Sequence, residues 1–429
     1  MSKRIAVLGL GSNIDPLIHL RKALRELQQQ PVLKVLKISK IYESQALLTD
    51  QAPQNWDKPY LNAAILIELT YNDPHELLSI AQLIEKKLKR NKIDKWSPRT
   101  IDIDILFIEN EKINLADMQV PHPELENRPF ALLPLLEVYP QYKPTQALWL
   151  NEASRPLNTK KSSSAVWPKL VGILNITSDS FSQDGLYQND LAKIDQKKLE
   201  AQIKLMLADG AEVIDIGAES TRPGAISVAS LVELERLTQA LEVIQSIKSS
   251  QSFEISIDSR KAQVMQKIIQ KFNIEYMNDV EGFRDPSMLE IAKEFSGKFI
   301  CMHSFSVPPV KDEIIQGDVF IYLKSWWLNK LEEFSKRQIP EDKIIFDVGI
   351  GFGKSAAQSF EILENMQHFS DIKNEIYIGH SRKSFLASIT DVIASERDQV
   401  TAQVTAKINQ AYCQYLRVHN IQINKKALL

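Results

Sequence analysis

Asp102 and Asp104 stand two apart in Trp96-Ser-Pro-Arg-Thr-Ile-Asp-Ile-Asp-Ile-Leu-Phe107. On a strand such residues share a face, so both carboxylates look one way while Ile101, Ile103 and Ile105 face a core. Two parallel carboxylates repel unless a cation sits between them. A hard divalent ion with oxygen ligands, Mg2+ above all, suits the pair together with phosphate oxygens. For a bare Asp-x-Asp the ordinary reading is a solvated strand face; here the neighbours decide otherwise. Trp96 supplies an aromatic face and Arg99 a phosphate-binding fork, and His122 and Arg128 follow in Val120-Pro-His-Pro-Glu-Leu-Glu-Asn-Arg-Pro-Phe130. A second chemical stretch, Ala211-Glu-Val-Ile-Asp-Ile-Gly-Ala-Glu-Ser-Thr-Arg-Pro-Gly224, opens as a buried strand and ends in a turn carrying Arg222.

The elements that must hold these groups fall into two sets. Before residue 150 the pattern reads strand (Ile5 to Leu10), helix (Pro16 to Gln30), strand (Val32 to Tyr42) and a long polar stretch to Tyr60. Strand Tyr60 to Leu69, a helix opened by Asp73-Pro74 and the Asp-x-Asp strand follow. This βαββαβ order with a C-terminal helix predicts an α+β ferredoxin-like sandwich. Asn151 to Pro168 is polar and rich in Ser and Lys, which is linker composition. We place the domains at 1–158 and 169–429, with 159–168 joining them. From Lys169 strands are expected at 170–176, 212–217, 253–257, 274–278, 298–302, 343–347, 375–379 and 415–418, with helices between, which predicts an α/β (βα)8 TIM barrel. Asn175, Asp215, Asp258, Asn278, Asp347, Lys383, Arg417 and His419 fall at its strand tips. A set drawn from almost every tip favours a ring over the single crevice of an open sheet. Asp258, Asn278 and Asp347 suit a flat heterocycle with amidine-like N–H groups; Arg222, Lys383, Arg417 and His419 suit a diphosphate.

The totals restrict the function. A chain of 429 residues with 44% hydrophobic and 25% charged residues is an ordinary globular protein of more than one domain. Its net charge of −2 argues against nucleic acid as the partner. Cys301 and Cys413 are the sequence's two cysteines, so a disulfide framework is not expected and a cytoplasmic location is. No stretch approaches the ~20 apolar residues of a membrane span.

The first half resembles 6-hydroxymethyl-7,8-dihydropterin pyrophosphokinase through Gly11-Ser-Asn13, Tyr60-Leu-Asn-Ala-Ala64, Trp96 to Asp104, Val120-Pro-His122 and Asn127-Arg128. The resemblance implies that Asp102 and Asp104 bind two Mg2+ bridging ATP and the pterin hydroxyl. It also implies that Asn62 hydrogen-bonds the pterin between Tyr60 and Phe130. Glu85, Trp96, Arg99, His122 and Arg128 would then contact ATP. The family's Arg-x-Arg pair is read here as Arg90-Asn-Lys92, which keeps the charge but loses one guanidinium fork.

Residues 169 to about 420 resemble dihydropteroate synthase. The matches are Gly172 to Ser182, Ser220-Thr-Arg-Pro-Gly224, Ser256-Ile-Asp-Ser259, Met277-Asn-Asp279, Met302-His303, Asp347 to Lys354, Ser381-Arg-Lys383 and Leu416-Arg-Val-His419. By that resemblance Asn175 binds one Mg2+ on the diphosphate, while Asp258, Asn278, Asp347 and Lys383 hold the pterin. Arg417 and His419 bind the diphosphate. The loops at 179–183 and 221–224, with Thr221 and Arg222, close over p-aminobenzoate, which Phe352 also lines. Val348 and Ile350, Ser178 and Ala218 depart from the family's usual Pro, Phe, Pro and Gly. The chain as a whole is expected to be a bifunctional folate-pathway enzyme acting on ATP, hydroxymethyl-dihydropterin and p-aminobenzoate. The alternatives are a barrel of the methyltetrahydrofolate-binding methyltransferase type and a non-catalytic barrel that scaffolds the kinase. After His419 only ten residues remain. A segment that short makes a marginal helix, so the eighth helix is expected to be missing or vestigial. The family's usual dimer is built around its last helices, so a monomer is expected, with a dimer left open.

Overall fold

The computed structural model describes residues 4–48, 51–70, 73–90, 97–145, 156–177, 187–188, 193–220, 227–310 and 312–429. It divides into two compact units, Met1–Trp167 with Leu429, and Pro168–Leu428.

The first unit is an α+β sandwich on a six-stranded antiparallel sheet. Asp102–Ile108 forms one edge, followed by Arg4–Ser12, Tyr60–Leu69, Tyr42–Ser44 and Lys160–Lys161; Leu33–Ile38 also pairs with Tyr60–Leu69. Strand alternation gives the sheet two apolar faces. Leu8, Leu10, Ile65, Ile67, Ile103 and Ile105 are buried on one, as are Leu20, Leu24 and Leu27 of helix Pro16–Gln28 and Leu77 and Ile84 of helix Pro74–Lys87. On the other, Val7, Ala64 and Leu106 pack with Leu132, Leu135 and Val138 of helix Pro129–Val138. Beside the start of that helix, Gly9, Gly11, Asn62, Asp102 and Asp104 line a cavity with Phe130 and Ala131.

Two expectations change. The strand read as Val32 to Tyr42 is two strands, with Ser39, Lys40 and Ile41 between them. Residues 159–168 are not a free linker. Lys160 and Lys161 pair with Glu43 and Tyr42, and Trp167 is 3% exposed. The Trp167 indole donates to Ser39 O at 2.8 Å, while Arg21 donates to the carbonyls of Val166 and Trp167. A polar composition concealed a two-residue edge strand and, further along the segment, an aromatic anchor.

The second unit is a closed barrel of parallel strands in the order Lys169–Asn175, Val213–Gly217, Glu254–Asp258, Tyr276–Asp279, Lys298–Met302, Ile344–Asp347, Glu375–Ile378 and Tyr415–Val418. Val171, Val213, Tyr276, Ile300, Ile345, Tyr377 and Tyr415 form a buried apolar layer. One or two residue pairs further along, the strands switch to Asp215, Asp258, Asn278, Asp347 and Arg417. The eighth helix is present but short, Ile421–Leu428. Ile421 and Leu428 are each 2% exposed, and buried Asn424 accepts from Thr405 Oγ1 at 2.6 Å. Two turns suffice to fill the gap beside helix Asp398–Thr405.

Candidate active sites

Gly9, Gly11, Tyr60, Asn62, Arg99, Asp102, Asp104, Arg128 and Phe130 line a cavity of about 90 Å³ in the first unit. Register sets Gly11 beside both Asn62 and Asp102, and Gly9 beside Asp104. A Cβ at Gly11 would come within 3.3 Å of Asn62 Oδ1, so glycine keeps this floor open. Asp102 is bracketed by cations, with Arg90 Nη1 at 2.7 Å and Arg99 hydrogen-bonded to it. Arg99 is aimed by Asn13, whose side chain accepts the Arg99 N–H at 2.8 Å. The Asp104 carboxyl is pushed up to about 7, first by burial and then by the charge of Asp102. Burial likewise lowers the His122 imidazole, with Arg128 adding to the effect.

In the second unit Asn175, Asp258, Asn278, Asp347, Phe352, Lys383, Arg417 and His419 all line one cavity of about 370 Å³. Asn175 lies beside Gly217, Gly217 beside Asp258, and Asp258 beside Asn278, across four adjacent strands. Arg417 is gripped by Asp215 Oδ2 at 2.6 Å and Asp258 Oδ2 at 2.8 Å. Burial raises Asp258 to about 7 against the pull of Arg417. Lys383 Nζ donates to Ile350 O at 2.7 Å and lies 4.7 Å from the centre of the Phe352 ring. Burial pushes this ammonium down to about 8, opposed by Asp347. His419 Nδ1 meets Ser381 Oγ at 3.0 Å. Gly349 takes φ 67°, and a Cβ there would stand 1.9 Å from His303 O.

Two family models divide the chain. The 7,8-dihydro-6-hydroxymethylpterin-pyrophosphokinase model matches residues 7–140, and the pterin binding enzyme model matches 171–419. A folate synthesis bifunctional protein of Chlamydia muridarum is 32% identical over 440 residues, covering 98% of this chain and 96% of its own. The chain belongs to the bifunctional folate synthesis family. It is an enzyme with pyrophosphokinase and dihydropteroate synthase activities in folate biosynthesis. Among solved structures, a dihydropteroate synthase from Anaplasma phagocytophilum with bound 6-hydroxymethylpterin-monophosphate is 30% identical. It covers 61% of this chain and 97% of its own, with a TM-score of 0.54. A pyrophosphokinase–dihydropteroate synthase of Plasmodium falciparum is 21% identical and covers 100% of this chain and 95% of its own at a TM-score of 0.52, which speaks to the fold alone.

Not every expected residue of the family site meets a cavity. Glu85 is buried, and its carboxylate accepts the Ile103 N–H at 2.8 Å and pairs with Arg90. It thus satisfies an outward donor of the edge strand that carries the aspartates. His122 sits against the same strand through its N–H to Leu106 O at 2.9 Å. Lys92, Trp96, Ser178, the 179–183 loop, Thr221 and Arg222 lie outside the described residues. The departures Ala218, Val348 and Ile350 are fully buried. Three residues have partners that the sequence did not show. Asp215 orients Arg417, Asn13 aims Arg99, and Lys354 donates to Phe352 O and meets His303 Nδ1, both at 2.9 Å. Asp215 was expected at a strand tip, and its grip on Arg417 is the part the sequence did not show.

No group of three or more His, Cys, Asp or Glu side chains is gathered as a metal site among the described residues. The carboxylate pair still fits Mg2+ in its donor chemistry. It shares one face, and each charge raises the cost of the other, which a divalent ion relieves.

Proposed function

We propose that residues 1–158 transfer the terminal diphosphate of ATP to the hydroxyl of 6-hydroxymethyl-7,8-dihydropterin, and that 169–429 condense the product with p-aminobenzoate. In the first step the pterin hydroxyl oxygen bonds to the β-phosphorus and gives up its proton, the bond from the β-phosphorus to the α-phosphate oxygen breaks, and AMP leaves. Asp102 and Asp104 would hold two Mg2+, which would neutralise phosphate charge. Arg90, Arg99 and Arg128 bind the phosphates, and Asn62, Tyr60 and Phe130 fix the pterin. In the second step the carbon–oxygen bond to the diphosphate breaks, and the arylamine nitrogen bonds to the methylene carbon and gives up a proton. Asp258, Asn278, Asp347 and Lys383 hold the ring, while Arg417 and His419 take the charge of the leaving diphosphate. Asn175 is a neutral donor, so one Mg2+ there would rest chiefly on diphosphate oxygens.

The observation that carries this reading is the 370 Å³ cavity, where acceptors for an amidine-like edge and cations for a diphosphate converge from different strand tips. Incubating the enzyme with hydroxymethyl-dihydropterin, Mg2+, ATP and p-aminobenzoate should give AMP and dihydropteroate in equal amounts. AMP without dihydropteroate would remove the second assignment. A cytoplasmic setting suits the free, buried Cys301 and Cys413. A monomer suits an eight-residue last helix that offers little surface for pairing; sedimentation equilibrium at micromolar concentration tests it.

A further inference from the structure

Arg382 sits between Ser381 and Lys383 on the loop after the seventh barrel strand and borders the cavity, yet its guanidinium is spent on the start of another helix. It takes a left-handed backbone, φ 59°, which a non-glycine residue holds only when its surroundings fix it. The fixing comes from the start of helix Asp398–Thr405. Asp398 receives the Arg382 guanidinium in a two-pronged pair, Nε at 2.6 Å and Nη2 at 2.8 Å. Thr401 Oγ1 accepts the Arg382 N–H at 3.2 Å, and Arg397 Nη1 donates to Lys383 O at 3.2 Å. Three successive points of the Arg382–Lys383 backbone and side chain are therefore tied to one helix start.

The same carboxylate reaches the neighbouring loop. Asn420 Nδ2 donates to Asp398 Oδ2 at 3.4 Å, and Asn420 follows His419, which itself meets Ser381 Oγ through Nδ1 at 3.0 Å. The contacts close a circuit running Ser381, Arg382, Asp398, Asn420, His419 and back to Ser381. Lys383 leaves this circuit toward the Ile350 carbonyl and the Phe352 ring.

We infer that Asp398 is a positioning residue for the condensation. It holds the lysine loop and the histidine loop in one register, and it keeps the Arg382 charge neutralised beside the place where diphosphate departs. It acts through Arg382 and Asn420 and touches no substrate. The inference rests on the condensation assigned above, so the wild-type enzyme is the first control. If wild type makes no dihydropteroate from pterin diphosphate and p-aminobenzoate, that assignment fails, whatever the variants do.

With wild type active, Asp398→Asn in the full-length chain should lower kcat for condensation about ten- to a hundred-fold, the scale of a displaced catalytic group. The KM for p-aminobenzoate should move by less than about threefold, since the loss lies in orientation rather than in uniform binding. AMP formation should be unchanged, which reports an intact first unit. Arg382→Met should reproduce the loss, and the double variant should be no worse than either single one. Asp398→Glu, which keeps the charge, should recover part of the rate. Asn420→Ala, a milder change, should show the same split between kcat and KM at smaller size. Wild-type kcat in Asp398→Asn would overturn the inference. So would additive losses in the double variant, or an equal loss in Asp398→Glu with a folded barrel.

Discussion

Asp102 has two arginines and Asp104 has burial and a neighbouring charge, so the two carboxylates of one motif are not equivalent. Asp102→Ala should cut AMP formation by about a hundred- to a thousand-fold, the loss seen when a charge-stabilising group is removed. Condensation of ready-made pterin diphosphate should be unaffected, because Asp102 belongs to the other unit; a radiolabelled p-aminobenzoate assay reads this directly. Lys383 gives a pH signature. With its ammonium at about 8, the charged form that faces Asp347 is lost as pH rises through that value. The kcat/KM for pterin diphosphate should therefore fall on the alkaline side with a midpoint near 8, and Lys383→Arg should remove that limb because a guanidinium stays charged. Linkage gives the matching stability effect. The unfolded lysine, near ~10.4, binds its proton more tightly than the folded one, so Lys383 makes the fold gain stability with pH between about 8 and 10. Much of this was legible from residue types and spacing. The Asp-x-Asp pair, Arg99 and the barrel tips could be read because strand alternation dictates which side chains share a face. The partners of those groups could not. That Arg417 is held by Asp215, or Arg382 by Asp398, depends on contacts between residues far apart in the chain.

At the level of elements, the barrel strands fell where the apolar alternation put them, since each is short, buried and bounded by turn residues. The eighth helix shows the limit of propensity. Its eight residues would be marginal alone, yet Ile421, Asn424 and Leu428 are buried. Asn424 carries much of this docking, with Nδ2 donating to Asn420 O at 2.7 Å and Oδ1 taking the Thr405 hydroxyl. Thr405 Oγ1 in turn meets Nε2 of His380, a ring that burial keeps neutral by lowering it to about 4. Asn424→Ala should destabilise the barrel by about 1–3 kcal/mol, the cost of stranding buried polar partners, read from the urea midpoint of the second unit. A shift under about 0.5 kcal/mol, as at an ordinary surface site, would show that the helix is held by its apolar residues alone.

Across the whole molecule, the joint between the units was the least legible part. Lysines and serines suggested a tether, whereas Lys160 and Lys161 pair as a short edge strand and Trp167 is buried before the barrel begins at Pro168. An indole with a single donor to Ser39 O leaves no trace in composition. Trp167→Ala should cost the first unit about 3–5 kcal/mol, and calorimetry should show its transition lowered while that of the barrel stays in place. Equal movement of both transitions would contradict the assignment of this segment to the first unit.

The glycines after Asp347 bear on how this chain can change under selection. Gly349 and Gly353 hold positive φ, and a methyl group on either would meet the His303 carbonyl or the Phe305 ring at 1.9 Å and 2.6 Å. The turn that brings Gly351 and Phe352 to the cavity therefore cannot take a side chain at either flanking glycine without displacing backbone or a packed ring. A small molecule that gains its affinity by leaning on Gly351 and Phe352 would rest on a turn with few escape routes.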